Sequence, residues 1–187
     1  MKPMASTLLL ASSLAGSLYG QSTVLWNESI NGQLSQFAAS PTSLGSLQKG
    51  TNSVLSSVEF VPTGGGPGGT LYSDFFTFSA GASTSISGVY LSVDSPIAVW
   101  IGDTNFSIEL GSVISPASGN LFSQIGVNSV GVGEYGIYVS NYDHGPVRSI
   151  ITYRLDFIVQ PIPEPITAWL LIVGLVCFGC RASIRRR

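Results

Sequence analysis

The feature that most constrains the fold is a strict alternation of apolar and polar residues near position 155. The apolar members are Ile151, Tyr153, Leu155, Phe157 and Val159, and the polar residues between them include Thr152, Arg154 and Asp156. Successive side chains of a β-strand point to opposite faces of its sheet. This period of two therefore predicts a strand with one buried face and one solvent-facing side.

The same period recurs along residues 21–160, between short stretches rich in Gly, Ser, Asn and Pro. It predicts strands at 23–26, 54–61, 71–79, 85–93, 97–101, 106–110, 121–127, 134–140 and 151–159. Residues 31–53 are polar and show no clear element, although Phe37, Leu44 and Leu47 leave a helix or a strand open there. Eight or nine short strands without a recognisable helix predict an all-β domain, an antiparallel β-sandwich of the jelly-roll type.

The amino-terminal segment has the composition of a secretory signal peptide. Lys2 is followed by a short apolar stretch, Leu8 to Leu10, and then by small residues up to Gly20. This order of charge, apolar stretch and small residues is typical of a signal peptide. An amino-terminal membrane anchor is the alternative, but Ser12 and Gly16 interrupt the apolar stretch. We therefore predict a signal peptide over residues 1–20 that signal peptidase removes, and an exported domain over 21–160.

The carboxyl-terminal segment, residues 161–187, combines an apolar run with a basic end. A helix over residues 166–180 would be about 22 Å long at ~1.5 Å per residue. That is short for a hydrocarbon core of ~30 Å, although the arginines can extend it by snorkelling. The arginines that follow are Arg181, Arg185, Arg186 and Arg187. They predict a transmembrane helix whose carboxyl end stays in the cytoplasm.

Three residues directly before this helix give the tail a more specific meaning. The triplet Pro163-Glu164-Pro165, the short apolar helix and the arginine cluster follow one another in order. Together they resemble the PEP-CTERM sorting signal of Gram-negative bacteria. The resemblance implies that an exosortase in the inner membrane recognises and removes the tail, leaving the protein at the cell surface or in the extracellular matrix. A plain membrane anchor is the alternative.

A second pattern, within the predicted sandwich, is similar to PEP-CTERM proteins with a Phe-x-Asp-x-Phe motif. Here the motif is Tyr72-Ser73-Asp74-Phe75-Phe76, so a tyrosine stands where the family has its first phenylalanine. The pattern also looks like the small β-sandwich appended to some secreted bacterial peptidases. This likeness concerns the fold, and it implies no catalytic residue.

Charge and cysteine content narrow the function classes. Residues 21–160 carry three basic and nine acidic side chains, a formal net charge of −6, whereas the whole chain carries −2. Nucleic acid would repel such a domain. Both cysteines, Cys177 and Cys180, lie within the apolar tail. Their Cys-x-x-Cys spacing suits redox or metal chemistry, but no second pair accompanies them, so we expect two lipid-facing side chains and an exported domain without a disulfide.

Residues that could carry chemistry are few. His144 is the single histidine, it follows Asp143, and no nucleophile elbow stands before a helix. We therefore predict that this chain has no catalytic residue and no cofactor, and that it is not an enzyme. Asp103, Asn105 and Asp143 offer oxygen ligands that Ca²⁺ accepts. Asp and Asn in turns also bond their own backbone, so we predict no metal site.

Two further interpretations concern the faces of the sandwich. Asp74 shares a strand face with aromatic residues, and we expect a structural hydrogen bond to a loop backbone or a pair with Arg148 or Arg154. Trp100, Tyr138 and Tyr142 are candidates for stacking against sugar rings, although a disulfide-free core also needs aromatic residues. Exposure of these rings together would favour glycan binding, and burial would favour a core role.

The sequence thus leaves two classes of function. The first, implied by the PEP-CTERM resemblance, is an extracellular protein with a structural or adhesive role in the exopolysaccharide or biofilm matrix. The alternative is a carbohydrate-binding module or weak hydrolase that uses one sandwich face.

Overall fold

The structure is a computed structural model that describes residues 21–63, 68–115, 118–142 and 147–162. The predicted signal peptide, the Pro163-Glu164-Pro165 motif, the 166–180 helix and the arginines after it lie outside these residues. Within the described ranges, no helix is long and apolar enough to cross a membrane.

The regular secondary structure of the described chain consists of strands and two single-turn helices. The strands are β1 (Ser22–Asn27), β2 (Thr42–Ser46), β3 (Gly50–Pro62), β4 (Gly69–Tyr72), β5 (Asp74–Ala80), β6 (Thr84–Val93), β7 (Ile97–Gly102), β8 (Glu109–Ser115), β9 (Gly119–Asn120), β10 (Gly133–Asn141) and β11 (Ser149–Pro161). The helices are α1 (Glu28–Asn31) and α2 (Leu121–Gln124). The prediction of an all-β fold is confirmed.

The strands form two sheets. Sheet A has the order β1-β3-β11-β6-β9, with β4 also paired to β3, and sheet B has the order β2-β5-β10-β7-β8. From β5 onward the chain moves from one sheet to the other at every connection except β7 to β8. Neighbours within a sheet are therefore mostly distant in sequence.

The prediction of purely antiparallel sheets is wrong at two positions. β1 pairs with β3, and β2 pairs with β5, in parallel. A parallel pair needs a crossover connection. The connection from β1 to β3 passes through β2 in sheet B, and the one from β2 to β5 passes through β3 and β4 in sheet A. The other pairings are antiparallel, so each sheet is mixed.

A single apolar core joins the inner faces of the two sheets. The predicted buried face of the 151–159 strand is confirmed, because its five apolar residues, now in β11, are all buried. From sheet B, Phe78 meets Phe157 of β11 with ring centroids 4.8 Å apart. Each Å² of apolar surface removed from water stabilises the folded state by about 25 cal/mol. The contacts of this core are therefore the main stabilising contribution to the fold.

The predicted 71–79 strand is two strands in different sheets. β4 pairs with β3 in sheet A, whereas β5 pairs with β10 in sheet B. Ser73, between them, is buried, and its hydroxyl lies 3.1 Å from Ser140 Oγ. Ser73 and the next residue, Asp74, are both buried, so the alternation of buried and exposed side chains is interrupted where the chain changes sheet.

Two other predicted strands are wrong in type or extent. The 121–127 strand is instead the helix α2, where the Asn120 side chain caps the first turn and Leu121 and Phe122 are buried. The 106–110 strand begins only at Glu109, after a turn. Residues 31–53, predicted without clear structure, contain β2 and the start of β3.

Candidate functional site

Four aromatic side chains lie together on the outer face of sheet B. Tyr138 of β10 is the register partner of Phe75 on β5 and of Trp100 on β7, so these three residues form a row across three strands. Phe76 and Ile137, next to them in sequence, are buried in the core. Because side chains alternate, the row must face outward. Phe106 joins it from the turn after β7, and we call these four residues the aromatic cluster.

The rings of the aromatic cluster are in mutual contact. Phe75 stacks on Tyr138 with centroids 4.7 Å apart, and Phe106 meets the edge of Phe75 at 5.2 Å. Trp100 lies 5.4 Å from Phe106. All four rings are half-buried. Each therefore keeps part of its surface open to solvent while its neighbours fix its position.

The structure thus brings together two of the three predicted stacking residues. Tyr142 is 48% exposed and lies about 13 Å of strand beyond Tyr138, at ~3.3 Å per residue. Phe75 and Phe106 were missed by the sequence analysis. The signal for Phe75 was available, because its neighbour Phe76 shares its aromatic character and must face the opposite way.

Two glycines make room for the rings. Trp100 lies over Gly102, and Phe106 lies over Gly136 on the neighbouring strand. A Cβ at Gly136 would be only 2.6 Å from the backbone oxygen of Asp103 and 3.0 Å from the Phe106 ring. The close approach of this turn to the sheet therefore depends on the absence of a side chain at Gly136.

The turn that carries Phe106 is locked by Asp103. The Asp103 carboxylate accepts hydrogen bonds from the backbone N–H groups of Ser107 (2.7 Å) and Ile108 (2.8 Å), and from the Ser107 hydroxyl (2.8 Å). The Ile108 N–H, together with Ser107, holds the pKa of the Asp103 carboxyl below its usual value. Phe106 has φ 55°, the one positive φ outside glycine among the described residues. A phenylalanine in this region is strained.

The structure describes two of the three candidate oxygen ligands, Asp103 and Asn105. The Asp103 carboxylate is committed to its own turn, Asn105 is exposed in the same turn, and Asp143 lies outside the described residues, as does His144. Within the described ranges, no group of three or more His, Cys, Asp or Glu side chains is placed to hold a metal ion.

A shallow groove of about 290 Å³ lies beside the aromatic cluster on the same outer face. Its polar lining consists of Ser43, Thr77, Ser79, Thr104 and Glu134. Thr77 of β5 pairs with Ser43 of β2 on one side and with Gly136 of β10 on the other. Since Phe106 lies over Gly136, its ring is the part of the aromatic cluster that lies next to Thr77 in the groove.

Asp74 forms a separate, buried polar cluster between the sheets. Its carboxylate is 1% exposed, and Oδ2 accepts hydrogen bonds from the hydroxyls of Tyr153 (2.7 Å) and Ser56 (2.8 Å) on sheet A. Burial raises the pKa of the Asp74 carboxyl from its usual 3.8 to about 6, and the two hydrogen bonds only partly oppose this.

Asp74 is hydrogen-bonded to two side-chain hydroxyls, so the expected partners, a loop backbone or an arginine, were wrong. Arg148 pairs with Glu59, and Arg154 pairs with Asp156 at 2.9 Å. Both arginines sit at the surface, where their charge remains hydrated. Asp74 instead faces the core, where two hydroxyls satisfy it without burying a second charge.

Two comparisons of the sequence with known proteins found no relative of this chain. No protein-family model matches the chain. A search of curated proteins gave no significant match.

Proposed function

We propose that this chain is an exported protein with a structural or adhesive role in an exopolysaccharide matrix, rather than an enzyme. The observation that carries the proposal is the ordered tail: Pro163-Glu164-Pro165, an apolar run and a terminal arginine cluster. Signal peptidase removes residues 1–20 and releases the amino terminus. The carboxyl-terminal helix holds the protein in the inner membrane until an exosortase cleaves near Glu164. The remaining domain then stays at the cell surface or in the matrix.

The strand order supports a jelly-roll sandwich as the exported domain. Apart from β1, β2 and β4, eight strands remain, and we number them one to eight along the chain. Sheet A then reads one-eight-three-six, and sheet B reads two-seven-four-five. This is the order of a double-sheet jelly roll, a fold that many secreted binding domains share. The fold itself assigns no activity.

The environments of two acidic side chains, Asp74 and Asp103, favour a non-catalytic role. Asp74 is held between two hydroxyls within the core, where substrate has no access. Asp103 is occupied by three hydrogen bonds of its own turn. Both carboxylates therefore serve the structure.

The experiment is an intact-mass measurement of the protein recovered from the surface or medium of the producing cell. We expect a species that begins near Gln21 and ends near Glu164. Glu164→Ala should keep the tail and remain in the membrane fraction, whereas Glu109→Ala, an acid far from the motif, should be processed normally. Recovery of surface protein that still carries Arg185 to Arg187 would contradict the sorting proposal and leave a plain anchor.

A further inference from the structure

We propose that the groove and the aromatic cluster of sheet B together form a binding site for a neutral polysaccharide. The proposal deepens the adhesive role proposed above and rests on it for its biological setting. The residues that would form this site all lie in the part of the chain that the structure describes, so the site itself does not depend on the sorting signal.

The lining of this face has the two chemistries that a sugar requires. A pyranose ring presents C–H groups on its faces and hydroxyls around its rim. The aromatic cluster offers ring surface for the C–H groups, and the groove offers hydroxyls from Ser43, Thr77, Ser79 and Thr104 with the carboxylate of Glu134. Small-ligand sites combine apolar surface with a few convergent polar groups in this way. The groove volume of about 290 Å³ is at the low end for such sites, which suits a short stretch of a longer polymer.

The groove and the cluster form one continuous surface. Two adjacent cross-strand rows carry them: Phe75, Tyr138 and Trp100 in one row, and Thr77, Gly136 and Gly102 in the next. Phe106 covers Gly136, and Thr104 lies in the same turn as Phe106. A polymer lying over both rows can therefore contact the rings and the hydroxyls at the same time.

The turn that presents Phe106 is fixed before any ligand arrives. Three hydrogen bonds to Asp103 hold the turn, and Phe106 keeps a strained backbone at φ 55°. Strain of this kind persists where the surrounding structure imposes it, and it is concentrated at functional sites. A ring held in place loses little conformational freedom on binding, which favours affinity.

Charge selects the class of polysaccharide. Among the residues that line the groove, Glu134 is the one carboxylate and no basic side chain is present. The predicted exported region also carries a net charge of −6. An anionic polymer such as a polyuronate would be repelled, whereas a neutral glycan would not. Glycoside hydrolysis normally needs a pair of carboxylates flanking the bond, so the lining fits binding without cleavage.

The test uses the full-length chain in a detergent without a sugar headgroup, so that the detergent does not compete. Cellohexaose, laminarihexaose, maltohexaose and the acidic hexagalacturonate are titrated by calorimetry and by tryptophan fluorescence. We expect saturable binding of at least one neutral hexasaccharide and none of hexagalacturonate. Trp100→Ala should weaken binding roughly tenfold or more, as truncation of an aromatic anchor does.

Two further variants keep the test decisive. Ser43→Trp fills the groove from an exposed position and should abolish binding even if Trp100→Ala proves unstable. Tyr90→Ala removes a ring that is 45% exposed on the outer face of sheet A, and it should leave the affinity unchanged. Circular dichroism checks that each variant is folded.

Absence of saturable binding to all three neutral hexasaccharides would overturn the proposal. Unchanged affinity in folded Trp100→Ala and Ser43→Trp would do the same, because binding would then lie elsewhere. Release of reducing ends by the wild type would replace binding with hydrolysis. None of these results alters the mass of the mature protein, so the sorting proposal stands or falls separately.

Discussion

At the scale of single residues, Asp74 is the one acidic residue buried in the core of the described structure. An acid at the start of β5 reaches across the interior to Ser56 and Tyr153 on sheet A. The Glu28 carboxylate lies 3.3 Å from the same Ser56 hydroxyl and adds repulsion. Because burial disfavours the ionised form, the native state holds the Asp74 proton more tightly than the unfolded state.

This difference predicts how stability depends on pH. The pKa of Asp74 is about 6 in the folded protein against 3.8 as its usual value. Between about pH 4 and pH 6 the native state binds more protons than the unfolded state, so the contribution of Asp74 to stability falls as pH rises. At ~1.4 kcal/mol per pKa unit the loss is up to about 3 kcal/mol, complete above pH ~6.

Asp74→Asn tests the assignment, because both hydroxyls donate to Oδ2 and an amide oxygen can accept both. We expect this contribution to the pH dependence to disappear in urea unfolding measured between about pH 4 and pH 7. Asp94→Asn, in an exposed turn, should keep the wild-type profile. An Asp74→Asn profile that parallels the wild type would show that another group titrates.

At the scale of elements, the turn from Asp103 to Ile108 can approach strand β10 closely because Gly136 has no side chain. The turn approaches β10 over Gly136, which has the backbone oxygen of Asp103 on one side and the Phe106 ring above it. The hydrogen bonds of Asp103 lie within the turn and fix its internal shape, whereas its close approach to β10 depends on Gly136. The geometry of the aromatic cluster thus depends on the sheet beneath it.

Gly136→Ala should therefore cost about 1–3 kcal/mol in unfolding free energy, as overpacking does. It should also weaken binding of the neutral hexasaccharide, since Phe106 must move. Gly131→Ala is the matched control, because nothing lies within 4 Å of a Cβ at that position, and it should change stability by less than ~0.5 kcal/mol. Equal stability of the two alanine variants would mean that the turn can move away from β10 without a measurable cost in free energy.

At the scale of the whole molecule, stability comes from one core between two sheets. Strands β3, β6 and β11 of sheet A face β5, β7 and β10 of sheet B, and their apolar side chains form a single cluster. Both cysteines of the chain lie in the tail, at positions 177 and 180. Packing rather than covalent crosslinking therefore holds the sheets together.

Reductant should accordingly leave thermal unfolding unchanged. We expect the full-length chain to give a strand-dominated circular dichroism spectrum and the same thermal midpoint with and without dithiothreitol. A secreted disulfide-bonded β-sandwich measured alongside provides the positive control. A midpoint that falls on reduction would mean that Cys177 and Cys180 crosslink something that the core requires.

Much of the fold could be predicted from local pattern alone. The five buried residues of β11 follow from alternation, because the direction of a side chain along a strand depends only on its position in that strand. The same rule located most of β3, β6, β7 and β10. It could not separate the apolar residues Leu121 and Phe122 of α2 from a short strand, because brief apolar runs suit both.

The sequence by itself determined the predicted strands, their buried faces and the acidic charge of the region between its two ends. Only the tertiary structure decided that the chain changes sheets at Ser73 and that β1 pairs with β3, and β2 with β5, in parallel. It also decided that Phe75 and Phe106 join Trp100 and Tyr138. Alternation is a property of neighbours in sequence. The choice of sheet, the partners of Asp74 and the aromatic cluster depend on hydrogen bonds and packing between residues far apart in the chain, which local pattern does not encode.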